Sequence, residues 1–366
     1  MTATFCLFCV VWVVPALRQQ KDFAVESISP VILSLWHVES FEGGLNSRTD
    51  WLKKRAMEFE KKNKGVYVDV SKLTYQQVVD KLMQGQRFDL ISFGVGVGDA
   101  VLNRLAEIST EKVSGVLQNL LDGGKVAGKQ YALPYSSGGY LLAGRKSDLQ
   151  KVKNFSSLKE NVFDCSLEVK KANKSKRIYS VVVGSSAFCC PIASLATLAK
   201  RETDSNAFFC QESITQYGAY EKFLYGDTAT LLLGSQRDYW RLSSREKNGK
   251  IGEILYCAVG GYSDLTQYIA IGETGDFYTQ SHSQDFADFL LSQNVQAKLV
   301  ATGTLSVLEK EIYADGVMKE LQDSLKTVAT PCVFVSQGVL KQIEDTAKKA
   351  IASGQKELLK KYLPIY

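Results

Sequence analysis

Histidine is nearly missing from this chain: His37 and His282 are the only two in 366 residues. A cluster of imidazoles around a metal, or a Ser-His-Asp hydrolytic arrangement, therefore has almost no material, and His282 stands in a polar QSHSQD stretch that reads as surface. Zinc-finger and thioredoxin spacings of cysteine are absent. The glycine run FGVGVGD, Phe93 to Asp99, is Gly-x-Gly-x-Gly and no P-loop lysine follows it. That excludes a dinucleotide or nucleotide loop and leaves a tight turn or close backbone approach to a ligand. Ferric-ion capture favours adjacent tyrosines with a histidine, whereas the tyrosines here are dispersed. There is no RNA-binding signature, internal repeat or low-complexity tract. Charge is also scarce in excess: 44 basic residues face 39 acidic ones, for a net of +5. The surplus sits in patches such as Lys170 to Arg177 and the last helix, which read as solvated faces. No nucleic acid, metal or cofactor is expected.

What is present is an ordinary globular composition, 45% hydrophobic and 23% charged, long enough for two cores. The segment TATFCLFCVVWVVPAL, Thr2 to Leu17, is shorter than the roughly 20 apolar residues of a spanning helix. Residues 1–30 are read as a signal peptide or N-terminal membrane anchor, so the protein is expected to be exported, extracellular or periplasmic. No basic residue precedes the apolar run, which keeps the uncleaved anchor open, and Cys6 and Cys9 lack the small residues that precede a lipidated cysteine. Downstream stand Cys165, Cys189, Cys190, Cys210, Cys257 and Cys332. They fit either one or two disulfides, among the first four, or buried free thiols.

Val31 to His37 reads as a buried strand. Ser47 with Asp50 opens a helix whose Leu52, Ala56 and Phe59 repeat at helical spacing. VYVDV, Val66 to Val70, is a second strand, a short helix follows over Tyr75 to Met83, and FDLISFG, Phe88 to Gly94, is a third strand. GDAVLNRLAEI is expected to start another helix. This order predicts a parallel sheet with helices on its faces. Two extended runs flank Pro134. The stretch from Ser157 to Arg177 reads as surface helix and loop, IYSVVVGSSAF as a strand, Tyr225 to Leu242 as strand, turn and helix, and Val339 to Leu363 as helical.

Four of these stretches, taken in order, resemble bacterial extracellular solute-binding proteins of family 1, the maltose-binding type that serves ABC transporters. They are LWHVESFEGGLNSRTDWLKKRAMEFEKKNKGVYVDV, RFDLISFGVG, TATLLLGS and DFADFLLSQNVQAKLVATGTLSV, within Val31 to Leu308. Phe88 and Ser306 stand where the family usually has proline. The resemblance implies an α/β type II periplasmic-binding-protein fold, two α/β lobes joined by hinge strands with the ligand between them. One lobe would be residues 31–134 plus 267–302 and the other 135–266 plus 303–366, with crossings near Leu133 to Ser136, Ala258 to Tyr268 and Gly303 to Val307. It further implies a monomeric binding protein that hands a small molecule to a membrane permease and performs no chemistry on it.

In such sheets ligands sit beyond the carboxyl ends of strands. That singles out Trp36, His37, Glu39, Ser40, Phe41 and Glu42 after the first strand, and Phe93 and Gly94 after the third. Tyr135 and Ser136 stand in the first hinge. Ser235, Asp238, Tyr239 and Trp240 follow the strand of the second lobe, with Trp240 or Tyr239 as an aromatic wall opposite Trp36. Tyr278 is placed at the end of a returning strand. Aromatic rings and carboxylates together suit a sugar, and Glu39, Glu42 and Asp238 would also suit a polyamine. Two further readings stay open: an enzyme on the same fold with Cys189 or Cys190 as nucleophile, and a sensor that docks to a receptor kinase.

Overall fold

The computed structural model describes residues 30–362 except 172–173, 205–207, 210–213, 227 and 315. Apart from Pro30, the leader assigned to residues 1–30 lies outside the described residues, as does Cys210. The chain opens with β1 (Val31–His37), α1 (Arg48–Lys62), β2 (Val66–Lys72), α2 (Tyr75–Met83) and β3 (Leu90–Phe93). Helix α1 begins where the Ser47 hydroxyl accepts the Asp50 N–H at 3.2 Å, and it buries Trp51, Leu52, Ala56 and Phe59 as one stripe. Thr74 and Gln77 cap α2 reciprocally. Strand β1 pairs in parallel with both β2 and β3.

The helix expected after β3 is instead two short 3-10 turns, Gly98–Ala100 and Leu102–Arg104. A Cβ on Gly98 would lie 2.5 Å from the Val333 carbonyl oxygen, so that side has no room for the side chains a full helix projects. Next come β4 (Lys125–Val126), β5 (Lys129–Gln130), β6 (Leu133–Ser137), β7 (Tyr140–Arg145), β8 (Leu167–Lys171), β9 (Lys174–Val183) and α3 (Pro191–Ala196). The chain continues through α4 (Gln216–Tyr225), β10 (Ala229–Ser235), α5 (Gln236–Lys247), β11 (Ile254–Val259) and β12 (Thr266–Ile271). It ends with α6 (Phe277–Leu290), α7 (Gly316–Ser324) and α8 (Gln337–Ser353). Part of the stretch expected as surface loop before Arg177 is thus the antiparallel pair β8 and β9.

Two five-stranded sheets result, ordered β2-β1-β3-β12-β6 and β11-β7-β10-β9-β8. Both are mixed rather than all parallel: β12 runs antiparallel to β3 and β6, and β7 antiparallel to β10 and β11. The chain crosses between sheets at residues 138–139, just beyond the expected Leu133 to Ser136, because Ser136 and Ser137 still pair with Gln267 and Thr266. It returns at 260–265. The last crossing also comes later than expected, since Leu305 bridges Ser137 and Leu308 bridges Val116 on the first-sheet side before α7 packs on β11.

Each sheet is buried on both faces. On the first, Leu33, Leu35, Leu90 and Ile269 pack with Leu52, Phe59 and Phe286 of the helices. The opposite face carries Trp36, Ile91 and Ala270 against Val78 and Phe88. Alternation along the strands produces this division. The carboxyl ends of β1, β3 and β6 lie at one edge, and that edge meets the amino end of β7 and the carboxyl end of β10, which pair as Tyr140 with Ser235.

Candidate ligand-binding site

The loop after β1 is held by a buried polar network. His37 is fully buried with Nδ1 2.9 Å from the Ser92 hydroxyl, and Ser92 in turn is 2.8 Å from the Tyr135 hydroxyl. Burial, reinforced by the Arg48 and Lys72 charges, holds the His37 imidazole well below the ordinary histidine range, so the ring is neutral at pH 7. Burial likewise pushes the Tyr135 hydroxyl far up. Gln267 donates to Val38 O (2.7 Å) and to Ser92 Oγ (3.1 Å), while its Oε1 accepts from Ser40 Oγ (3.0 Å) and Arg48 Nη1 (3.3 Å). Arg48 also stands 3.6 Å from Glu39 and 4.1 Å from the centre of the Phe41 ring, and Lys72 reaches Glu39 at 2.9 Å. Gly94 lies so close that a Cβ there would be 2.0 Å from Ser40 Oγ. These partners fix the loop; they consume the polar groups that would otherwise face a ligand.

On the other lobe the turn into α5 is capped by Ser235 and Asp238, and Asp238 Oδ1 accepts from Arg237 Nε (3.1 Å) and Nη2 (2.8 Å). The two lobes meet directly here. Gln236 Nε2 donates to Glu42 O at 2.9 Å, Arg241 pairs with Glu42 at 2.9 Å, and Trp240 Nε1 donates to Gly303 O at 3.1 Å. Gly44 has φ +108, and a Cβ on it would sit 2.7 Å from Arg237 Cα and 2.9 Å from Trp240 Cδ1. The structure therefore brings Glu42 and its neighbours against the Ser235 to Trp240 turn, in contact rather than across an open groove.

That contact revises the aromatic walls. Trp36 is 5% exposed, its ring 5.2 Å from Phe88 and under Lys81, so it is a core residue; Phe41 and Phe93 are buried too. Trp240 is wedged between the Gly44 and Gly303 backbones and Tyr239, and Tyr239 packs on Tyr256. Ser136 is fully buried with its hydroxyl unpartnered. Tyr278 is not at a strand end: it lies in the first turn of α6, 69% exposed. Because β12 is antiparallel, its carboxyl end at Ile271 faces the edge opposite the lobe boundary, and Tyr278 follows it there.

The cavity at the lobe boundary has a volume of about 850 Å³, within the usual range for ligand pockets. None of the fifteen residues singled out as ligand contacts lines it, although Cys189 and Cys190, named for the alternative enzyme reading, do. One wall is the turn after β9, Ser185 to Cys190; a second is the start of α4, Thr215, Gln216 and Tyr217; a third is the start of α8, Gln337 to Glu344; and Arg237 closes it. The first lobe supports this wall from behind. Gly96 lies against Ala187 O and Leu340 Cδ1, both 3.2 Å from where its Cβ would be, and Cys189 Sγ donates to Ser40 O at 3.5 Å.

Cys189 and Cys190 are free thiols, as are the other described cysteines Cys165, Cys257 and Cys332, so no disulfide joins the candidates among them. Burial, with the nearby Asp264 carboxylate, pushes both thiols well up. That disfavours the thiolate a nucleophile needs. Asp264 itself is buried and accepts from Tyr140 and Tyr262 hydroxyls and from the Cys190 N–H (2.6 Å), which ties the crossing segments to the cavity wall. A second cavity, about 500 Å³, is lined by Arg87, Phe88, Arg104 and Glu273 at the far edge of the first sheet, away from the lobe boundary.

The missed lining had one legible signal. Gly-Ser-Ser after β9 and Thr215 as a helix cap both lie at carboxyl ends of the second sheet, where ligand contacts concentrate. Gln337 to Glu344 carry no such mark, since only the chain's return brings them there.

No protein-family model and no curated protein matches the chain. Solved structures do match. The sugar-binding protein MalE from the phytopathogen Xanthomonas citri superposes with a TM-score of 0.63 at 14% identity, covering 90% of this chain and 98% of that one. The galacto-N-biose-/lacto-N-biose I-binding protein of an ABC transporter from Bifidobacterium longum gives 0.60 at 12%, covering 92% and 96%. Iron-bound HitA from Pseudomonas aeruginosa gives 0.54 at 16%, covering 87% and 99%. The architecture is the type II periplasmic-binding-protein fold, two α/β lobes joined by crossing strands. MalE-like proteins carry the fold to which the four sequence stretches pointed.

Proposed function

We propose that this protein is the exported solute-binding component of an ABC importer, taking a carbohydrate into the cavity at the lobe boundary and delivering it to a membrane permease. The observation that carries this is the cavity itself. About 850 Å³ is walled by hydroxyls, amides and the Tyr217 ring from three segments far apart in the chain, beside the contacts that hold the lobes shut. Hydroxyl and amide groups exchange hydrogen bonds with sugar hydroxyls, and an aromatic face covers the apolar side of a pyranose. The sugar-binding role of solved neighbours with this fold supports the ligand class. Among the described residues no helix is long and apolar enough to cross a membrane, and residues 1–30 would direct export.

The lobes would be residues 31–137 with 266–308, and 140–259 with the C-terminal helices, acting as a monomer. A ligand touching the cavity wall stabilises the form in which Ser40 and Gly96 press on that wall, shifting the open-closed population toward the form a permease recognises. Thermal unfolding against a panel of neutral and acidic oligosaccharides, polyamines and ferric ion tests the reading. A sugar that raises the midpoint in a concentration-dependent way supports it; stabilisation by polyamine or iron alone overturns it.

A further inference from the structure

The cavity is charged as well as polar, and its charge is lopsided. Of the described residues that line it, two are cations, Arg237 and Lys341, and one is a carboxylate, Glu344; Arg237 is paired with Asp238 just behind the wall, so the unbalanced charge is that of Lys341. Glu344 is already paired with Lys348 at 2.6 Å. Arg237 is 5% exposed and spends Nε and Nη2 on Asp238, which leaves Nη1 without a bond to any described residue. Lys341 is exposed and has no acidic partner among the described residues. Arg237 lines the cavity, so Nη1 is the donor that its guanidinium, already paired with Asp238, still has to offer. The amino ends of α4 and α8 open on the same space through Gln216 and Gln337, and helix amino ends add partial positive charge.

We propose that the ligand bears an anionic group, a carboxylate or phosphate carried on a sugar, which Arg237 and Lys341 bind at this wall. The inference rests on the cavity being the ligand site, and it narrows the ligand from carbohydrate in general to acidic carbohydrate. The planar guanidinium offers its remaining N–H donors to an oxyanion, and the mobile ammonium of Lys341 supplies the second charge. A neutral sugar would leave Lys341 without a counter-charge, whereas Arg237 already has that of Asp238.

Titration calorimetry on the full chain with a galacturonate trimer, a sugar phosphate and maltotriose, each at low and high salt, separates the cases. The acidic probes are expected to bind about ten- to a hundredfold tighter than maltotriose, with affinity falling as salt rises. Comparison of the uronate with the phosphate probe identifies which oxyanion is held. Lys341→Gln, on an exposed position, is expected to lower acidic-sugar affinity at least about tenfold with an unchanged melting temperature. Arg237→Lys reports the guanidinium without removing charge. Tight binding of maltotriose with no preference for acid, or acidic affinity unchanged in both variants, overturns the anionic assignment and leaves the carbohydrate reading standing. Failure of all three sugars to bind overturns both.

Discussion

Glu42 and Arg241 stand on opposite lobes with their carboxylate and guanidinium 2.9 Å apart, beside the backbone contact from Gln236 to the Glu42 carbonyl. Both side chains are partly exposed, so the pair adds only about 0–1 kcal/mol to stability. Its effect falls on closure. Glu42→Gln is expected to leave the melting temperature within a degree or two while increasing the radius of gyration of the unliganded protein in small-angle scattering. An unchanged radius would remove this pair from the closing contacts.

Gly44 separates backbone strain from lobe contact. Gly44→Ala meets both a φ of +108 and a Cβ 2.7 Å from Arg237 Cα, whereas Gly65→Ala, at φ +87, meets nothing within 4 Å. The left-handed backbone alone costs about 1–2 kcal/mol for alanine. Denaturant titration should show that loss in both variants, with a more open solution shape in Gly44→Ala only.

Trp36→Ala should damage folding rather than recognition, by about 3–5 kcal/mol, because the ring is buried against Phe88. Chemical denaturation measures that loss, and calorimetry on the folded fraction should find ligand affinity within about twofold of the wild type. A folded variant with lost affinity would restore Trp36 to the site.

His37 sets a pH dependence. Its folded pKa is depressed by burial, so the unfolded chain takes up a proton that the native ring refuses. Its stabilising effect is fully present above the unfolded histidine value of about 6.5. It is lost as pH falls through that value toward the lower folded pKa, with a slope of up to about 1.4 kcal/mol per pH unit. Urea titrations at pH 7.5 and 5 should show a steeper loss in the wild type than in His37→Gln. Equal losses would place the pH effect elsewhere.

Much of the first lobe was legible because local rules and global fold agree there. A short apolar β-prone run marked β1, alternation marked β2, Ser47 with Asp50 marked the start of α1, and the order of four motifs pointed to the fold. The site was not legible in the same way. The rule that ligands gather beyond strand carboxyl ends selected the loop after β1, but a loop at a strand end can seal against the other lobe as readily as face a ligand. Arg48, Gln267 and Ser92 decide the matter by taking up its polar groups, and they come from three elements. Trp36 could not be told from a stacking residue because burial of an aromatic ring depends on Phe88 and Lys81 lying over it. The cavity joins residues near 186, 216 and 340: the first two meet where the segment ending at Thr215 bridges Ser185 in parallel, and the third is brought there by the C-terminal helix α8.

The most direct test fills the cavity. Gly338 lies on its wall at the start of α8, and the nearest atom to an added Cβ is Ser336 Oγ at 3.5 Å, so a large side chain there meets open space. For Gly338→Trp, calorimetry with the best oligosaccharide found for the wild type should show binding abolished while the melting temperature is maintained. Full affinity in a folded Gly338→Trp protein would contradict the account, because the sugar would then be held somewhere other than this cavity.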